Sequence, residues 1–414
     1  MSFKEKKKLY SLNYTVDASQ KCIKYVKSHD EKIFSSHNYD DSIIRADFCD
    51  CLISIIFNTN SIEKTMLTIE KFSEKTTHHK EIQFCIKTDN DDEDFIVKFL
   101  NKLSKYNFNF VILASPKGRG FIDLWQWVNY LYKVSSKNSK FVMNISDEMF
   151  VKEEGWDENL KRYLNLEKDN IYRLRTSSYK NRNYHDLWEC GYAPDTTAIY
   201  TKRYIEIQKN FSPCFGPDNC QQIVAYYLSK INYPRHTQFL RDRVINDISY
   251  EGQGTNIGLK GDELYKRRNL NHRLWLNLFS YKNQTNLFQR ARKLQIEILK
   301  NEFKELSIKE LNEKYVAKFY TKENSGQEVK RVIYLTKKIS YLKLFFYNLV
   351  RFDFFQYNTG YAKNKISSIL VTLNFLFFKK FPKQKIETTD IYLEKLIEIE
   401  RNISSNIFIK KKYD

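Results

Sequence analysis

Glycine and proline are scarce in this chain of 414 residues, which contains 11 Gly and 6 Pro. Neither residue occurs in 1–115, whereas nine of the glycines lie in 118–261 and five of the prolines lie in 116–234. Glycine and proline mark turns and places where the backbone approaches a ligand closely. Loops, and the functional residues that loops carry, are therefore expected mainly within 115–261.

The seven cysteines form no CxxC pair and show no Cys/His spacing typical of a metal site. This pattern argues against a disulfide framework and indicates reduced thiols. The N-terminus is basic but has no apolar stretch long enough for a cleaved secretory signal. We therefore expect a cytoplasmic protein.

Acidic residues are outnumbered, with 50 Asp and Glu against 69 Lys and Arg, so the formal net charge is +19. Such an excess favours an anionic partner: nucleic acid, an anionic membrane surface or a phosphorylated substrate. Residues 261–414 hold 31 of the basic and 16 of the acidic residues. The content of 42% hydrophobic residues excludes the disordered class.

Short apolar runs alternate with amphipathic segments between residues 51 and 145. The runs predict strands at Cys51–Phe57, Ile82–Ile86, Phe110–Leu113 and Phe141–Ile145, with helices between them. This order predicts an α/β fold with a mostly parallel sheet and helices on both faces. We expect three regions: an N-terminal extension (1–48) packed on the catalytic domain, the catalytic domain (49–260), and a largely helical, basic and aromatic C-terminal region (261–414).

Polar residues follow each predicted strand, where ligands of such sheets bind. Asp147 and Glu148 suit Mg²⁺ or Mn²⁺, although the same residues are also typical of a helix N-cap. The turn 117–120, with Arg119, is suited to phosphate or is an ordinary turn. The acidic segment 89–93 is suited to a ribose or base, or begins a solvated helix.

Four segments in this order resemble the inverting family 2-like glycosyltransferases of the GT-A fold. They read SIIFNTN (54–60), EIQFCIKTDNDDED (81–94), VILASPKGRGFIDLW (111–125) and FVMNISDEMFVKEEGWDENL (141–160). The segment that begins at Gly191 and the residues Phe215 to Asp218 continue the resemblance, which spans roughly 50–256. It implies a GT-A-like, Rossmann-type sheet and a transferase that moves a sugar from a nucleotide-sugar donor to a hydroxyl of an envelope glycan or glycolipid.

The resemblance also implies roles for individual residues. Asp218 is expected to be the base that deprotonates the acceptor, kept ionised by the amide dipoles at the start of its helix; a helix cap is the alternative for this residue. Asp147, with Glu148, is expected to hold a divalent cation. Ile145 replaces the first acid of the family's DxD-type motif, so the metal site departs from the family pattern. The expected nucleotide-binding residues are Asn58, Thr59, Lys87, Asp89, Asp91 and Arg119. The expected acceptor-binding residues are His185, Trp188 and Glu189, for which burial of the tryptophan in the core is the alternative.

Two other functions remain open on the sequence alone. A nucleotidyltransferase also uses a parallel sheet with a basic glycine turn, but its G-x-G is expected near the first strand. A noncatalytic protein that binds membranes or nucleic acid would account for the charge. Residues 329–386 contain 12 Lys and Arg, one acid and 14 Phe or Tyr, which suits docking on the inner face of an anionic membrane or packing within the protein. Nucleic acid is the less expected partner for these dense aromatic runs.

Overall fold

The computed structural model describes residues 22–38, 50–115, 123–176, 195–232, 241–252, 278, 281–302, 317–322 and 328–333. The chain divides into two compact units. One comprises Met1–Val16, Asn256–Gln284 and Ile339–Asp414, and the other comprises Asp17–Thr255 and Thr285–Lys338. Nearly all described residues belong to the second unit, which contains the sheet. None of the helices described is both long and apolar enough to cross a membrane.

The second unit contains a mixed sheet of nine strands. Their bounds are β1 Ile23–Lys27, β2 Ser35–Asn38, β3 Ile53–Thr59, β4 Ile82–Thr88, β5 Asn109–Ala114, β6 Phe141–Asn144, β8 Arg173–Arg175, β9 Ile199–Thr201 and β10 Asp242–Val244. The order of the strands in the sheet is β10-β8-β9-β6-β3-β4-β5-β1-β2. Four central strands, β6, β3, β4 and β5, run parallel to one another.

Helices flank this sheet, and two short antiparallel pairs of strands lie outside it. The first pair is β7 with β11, and the second is the hairpin of β12 and β13. The helices are α1 Ile62–Lys75, α2 Glu93–Leu103, α3 Leu124–Val134, α4 Trp156–Lys161, α5 Lys202–Gln208, α6 Pro217–Asn232 and α7 Tyr281–Glu302. The remaining strands are β7 Met149–Val151, β11 Tyr250–Gly252, β12 Ala317–Lys322 and β13 Glu328–Ile333.

The predicted fold class is confirmed, because the four parallel strands coincide with the four apolar runs. These strands are buried on both faces, which is why each run is continuously apolar rather than alternating. Helix α1 begins after Ser61, whose hydroxyl accepts a hydrogen bond from the backbone N–H of Lys64 at 3.3 Å. Ile69 and Phe72 on α1 are fully buried against the sheet.

The edges of the sheet were not predicted from the sequence. Strand β1 pairs antiparallel with β5, so residues of the N-terminal extension lengthen the sheet. On the other side, β9 pairs antiparallel with β6 and with β8. Much of the expected C-terminal region lies outside the described residues. Its described part contains the helix α7 and a β-hairpin, so it is not helical throughout.

Candidate active site at the carboxyl edge of the sheet

The carboxyl ends of β3, β4 and β6 bring several of the predicted residues to one edge. Asn58 pairs in register with Lys87, and Thr59 pairs with Thr88. Asn144, the last residue of β6, pairs with Ile56. Residues of neighbouring strands that are paired in this way point to the same face of a sheet. Asn58, Lys87 and Asn144 therefore share one face at the edge where ligands of parallel sheets bind.

Three polar side chains at this edge have buried atoms without a hydrogen-bond partner among the described residues. They are both amide atoms of Asn58, Oδ1 of Asn144 and the hydroxyl of Thr88. A buried polar group left unsatisfied costs about 1–3 kcal/mol, so an accumulation at one edge calls for an explanation. A polar ligand that supplies the missing donors and acceptors explains it.

Lys87 is fully buried at this edge. Its ammonium is paired with the carboxylate of Asp89 and lies 4.6 Å from the ring centroid of Trp127 on α3. Lysine is almost never fully buried without such partners. The pair fixes Asp89 just beyond β4, where the backbone N–H of Asp89 also bonds to the carbonyl of Thr59 at 2.8 Å. Asp91, by contrast, is exposed.

Asp147 lies beyond the end of β6 and is held by threonines. The hydroxyl of Thr59 donates to Oδ2 of Asp147 at 2.9 Å, and the hydroxyl of Thr68 donates to its backbone carbonyl at 2.8 Å. Burial raises the pKa of the Asp147 carboxyl, and the Thr59 hydrogen bond opposes this shift. The residues that follow form a turn into β7, so the helix N-cap alternative for Asp147 is wrong.

Glu148, the other predicted metal ligand, is paired with the ammonium of Lys64 on α1. Ile145, where the family that the sequence resembles has an acid, is buried and offers no side-chain oxygen. Of the two predicted ligands, one carboxylate oxygen of Asp147 already accepts a hydrogen bond, and Glu148 already has a cation. These residues are a poor match for Mg²⁺ or Mn²⁺, which require several oxygen ligands.

Asp218 is the second residue of α6. Gly216, with φ +74°, precedes the helix, and Pro217 supplies its first residue, a position where proline is favoured. The backbone N–H groups of Asn219 and Asp218 bond to the Asp218 carboxylate and lower its pKa. Burial outweighs them, so the net shift is upward. The amides at the start of α6 therefore lower the pKa of Asp218, but by less than burial raises it.

Asp195 is an acid near Asp218 that the sequence did not single out. Because β9 runs antiparallel to β6, with Ile199 opposite Met143, the residues before β9 lie at the carboxyl edge of β6. Asp195 is buried there and interacts electrostatically with Asp218. Its carboxylate accepts hydrogen bonds from the backbone N–H groups of Thr176 and Thr197, each at 3.2 Å. The site thus includes a further acid beside Asp218, and this one is buried.

A buried ion pair supports this side of the site. The guanidinium of Arg173 on β8 donates to Asp242 on β10 at 2.6 and 3.2 Å and to the side chain of Gln222 on α6 at 2.9 Å. The same Gln222 oxygen accepts from the backbone N–H of Asp195 at 3.3 Å. Arg173 lowers the pKa of Asp195, but burial is the larger effect and raises it. The network connects α6, which carries Asp218, to the sheet.

Four predicted site residues lie outside the described residues: Arg119, His185, Trp188 and Glu189. Elsewhere, His78, Asp157 and Glu158 place possible metal-ligand atoms within 4.8 Å of one another. This cluster lies near the start of β4 rather than at its carboxyl end. The ammonium of Lys161 is 3.4 Å from both the His78 ring and Glu158, so a cation is already present there.

No protein-family model matches the sequence, and no curated protein matches it. Among solved structures, the chain is similar to S. aureus TarS, with 14% identity over 62% of this chain and a TM-score of 0.34. It spans 44% of the length of that protein. A structure of TarS residues 1–349 in complex with UDP-GlcNAc has 13% identity over 86% of this chain and 91% of its own, with a TM-score of 0.36.

A third similar structure is the mannosyltransferase PcManGT from Pyrobaculum calidifontis in complex with GDP-Man and Mn²⁺. Its identity is 10%, over 60% of this chain and 70% of its own, with a TM-score of 0.41.

Proposed function

We propose that this chain is a glycosyltransferase that binds a nucleotide-sugar donor at the carboxyl edge of β3, β4 and β6. The observation that carries the proposal is the unsatisfied amide of Asn58, next to the fixed carboxylate of Asp89. A nucleobase and ribose present adjacent hydrogen-bond donors and acceptors, which an amide and a carboxylate are suited to meet. Thr59 holds the neighbouring Asp147 through its hydroxyl.

In this proposal Asp218 is the general base. The acceptor hydroxyl loses its proton to the Asp218 carboxylate as the oxygen attacks the anomeric carbon. The bond from that carbon to the diphosphate oxygen breaks with its electron pair, and the nucleoside diphosphate leaves. In-line attack inverts the anomeric configuration. The raised pKa of Asp218 suits a base, because a base becomes more effective as its pKa approaches the working pH.

The resemblance of the four sequence segments extends the proposal to the acceptor. We propose a hydroxyl of an envelope glycan or a lipid-linked glycan. The basic and aromatic residues 329–386 would then hold the protein at the inner face of an anionic membrane, where such acceptors are present.

The test is release of nucleotide and sugar transfer from a panel of UDP-, GDP- and CMP-sugars. The wild type is expected to release nucleotide from one of them, and Asp218→Asn to reduce turnover by about 10²-fold or more, the contribution of a general base. Asp30→Asn is the matched control, because the Asp30 side chain is 83% exposed. Asp30 follows β1, whose last residue pairs with Phe110 near the start of β5, so it lies at the opposite edge of the sheet.

Three results would contradict the proposal. Unchanged turnover in Asp218→Asn removes the assigned base. Release of pyrophosphate from a nucleoside triphosphate and a sugar phosphate identifies a nucleotidyltransferase instead. Binding to vesicles or nucleic acid with no response to any nucleotide sugar identifies a noncatalytic protein.

A further inference from the structure

The acids beyond β6 are already engaged by groups of the protein itself. Oδ2 of Asp147 accepts from the Thr59 hydroxyl at 2.9 Å, and Glu148 is paired with Lys64. The buried Ile145 offers no ligand atom. A divalent ion here would compete with these partners for the carboxylates and would lie close to the ammonium group of Lys64.

Two lysines supply positive charge beside β3, β4 and β6, and they differ in how firmly they are held. Arg175, at the end of β8, is buried and interacts with Asp195. Lys87 is fully buried and is held between Asp89 and the ring of Trp127. The Lys64 side chain is 50% exposed and lies in the first turn of α1. Its ammonium is close enough to both Asp147 and Glu148 to interact with their charges. Lys64 is therefore the cation that can move towards an incoming anion.

We infer that the ammonium of Lys64, rather than a divalent metal, neutralises the diphosphate of the donor. This inference rests on the proposed function. An ion pair between partly exposed side chains contributes little stability, so exchanging Glu148 for a diphosphate costs little. A diphosphate carries more negative charge than a carboxylate and gives stronger, charge-assisted hydrogen bonds.

The ammonium also acts where charge develops. When the bond between the anomeric carbon and the diphosphate oxygen breaks, its electron pair stays on that oxygen, and the leaving group gains one negative charge. A lysine hydrogen-bonded to the diphosphate stabilises this charge more than it stabilises the bound donor. Glu148, released from Lys64, lies at the partly exposed rim of the site.

Calorimetric titration of the full chain with UDP and GDP, in EDTA and in Mn²⁺, tests the inference. The nucleoside diphosphate that binds is expected to show the same affinity, within about twofold, in both conditions. Lys64→Met is expected to weaken it by about tenfold to a hundredfold, the effect of losing a hydrogen bond to a charged group. Lys71→Met is the matched control, because Lys71 lies on the same helix and pairs with Glu74 at 2.7 Å.

The outcomes separate this inference from the proposed function. Binding that requires Mn²⁺, or Lys64→Met with unchanged affinity, overturns the inference and leaves the donor site intact. No binding of any of these nucleotides, in either condition, overturns the proposed function itself. A thermal melt of Lys64→Met that coincides with that of Lys71→Met shows that lost affinity does not come from unfolding.

Discussion

If the Asn58 amide serves to bind a ligand, it lowers the free energy of unfolding when no ligand is bound. Both of its polar atoms are buried without a described partner, and each such atom costs about 1–3 kcal/mol. Asn58→Leu removes both atoms and keeps a similar volume. We expect the free energy of unfolding to rise by about 1–2 kcal/mol, since the gain is offset by repacking. For a unit of this size that corresponds to a melting temperature about 2–3 °C higher.

The same substitution is expected to abolish most nucleotide binding, because leucine offers neither a donor nor an acceptor. Groups of the ligand left unpaired in a buried site weaken binding by about tenfold to a hundredfold. Urea unfolding measures the stability, and calorimetric titration with UDP, GDP and CMP measures the affinity. The expected result is a more stable protein that binds its nucleotide poorly.

Asn109→Leu is the matched control at the opposite edge of the sheet. Asn109 is also buried, but its amide donates to the carbonyl of Lys80 at 2.7 Å and accepts from the His29 N–H at 3.0 Å. We expect this variant to lose about 1–3 kcal/mol of stability and to bind nucleotide normally. If Asn58→Leu is instead as destabilised as Asn109→Leu, or binds nucleotide as the wild type does, the reasoning is refuted.

Three further predictions concern the side of the site formed by β8, β10 and α6. Asp218 must be ionised to act as a base, and its pKa is raised above 3.8. Turnover should therefore fall as the pH drops through that raised pKa. This acidic limb of the pH–rate profile should be absent in Asp218→Asn. Arg173→Met leaves a buried carboxylate unpaired and should lower the free energy of unfolding, measured in urea, by about 3–5 kcal/mol. The double variant Arg173→Met with Asp242→Leu should recover most of this loss. Gly216→Ala should lower the free energy of unfolding by at least about 1–2 kcal/mol, because φ is +74° and the new Cβ would lie 2.3 Å from Oδ1 of Asn219. A melting temperature equal to that of the wild type would contradict this prediction.

The centre of the sheet could be predicted from the sequence for a physical reason. Parallel strands are covered by helices on both faces, so each is a continuous apolar run with turn-forming residues at its ends. The same reasoning predicted that Asn58, Asp89 and Asp147 follow neighbouring strands. It could not show that the Asn58 amide lacks partners or that Glu148 is paired with Lys64, because both facts depend on side-chain positions.

The rest of the site depends on interactions between distant parts of the chain. Strands β8, β9 and β10 have three residues each, which is too few to show a repeating pattern of apolar and polar residues. Arg173 reads as a surface residue in sequence, yet it is buried because Asp242, far along the chain, pairs with it. Asp195 becomes part of the site only through the antiparallel pairing of β9 with β6. The upward shift in the pKa of Asp218 was not predicted, because a helix start can be inferred from the sequence and the burial of the carboxyl cannot.

The location of the nucleotide tests the central claim most directly. Hydrogen–deuterium exchange of the full chain, with and without saturating UDP or GDP, reports which backbone amides the ligand protects. The account predicts protection in peptides that cover 58–65, 87–92 and 144–149, and at the start of α6 when the intact nucleotide sugar is used. Protection confined to other segments, with these peptides unchanged in the bound protein, would contradict it.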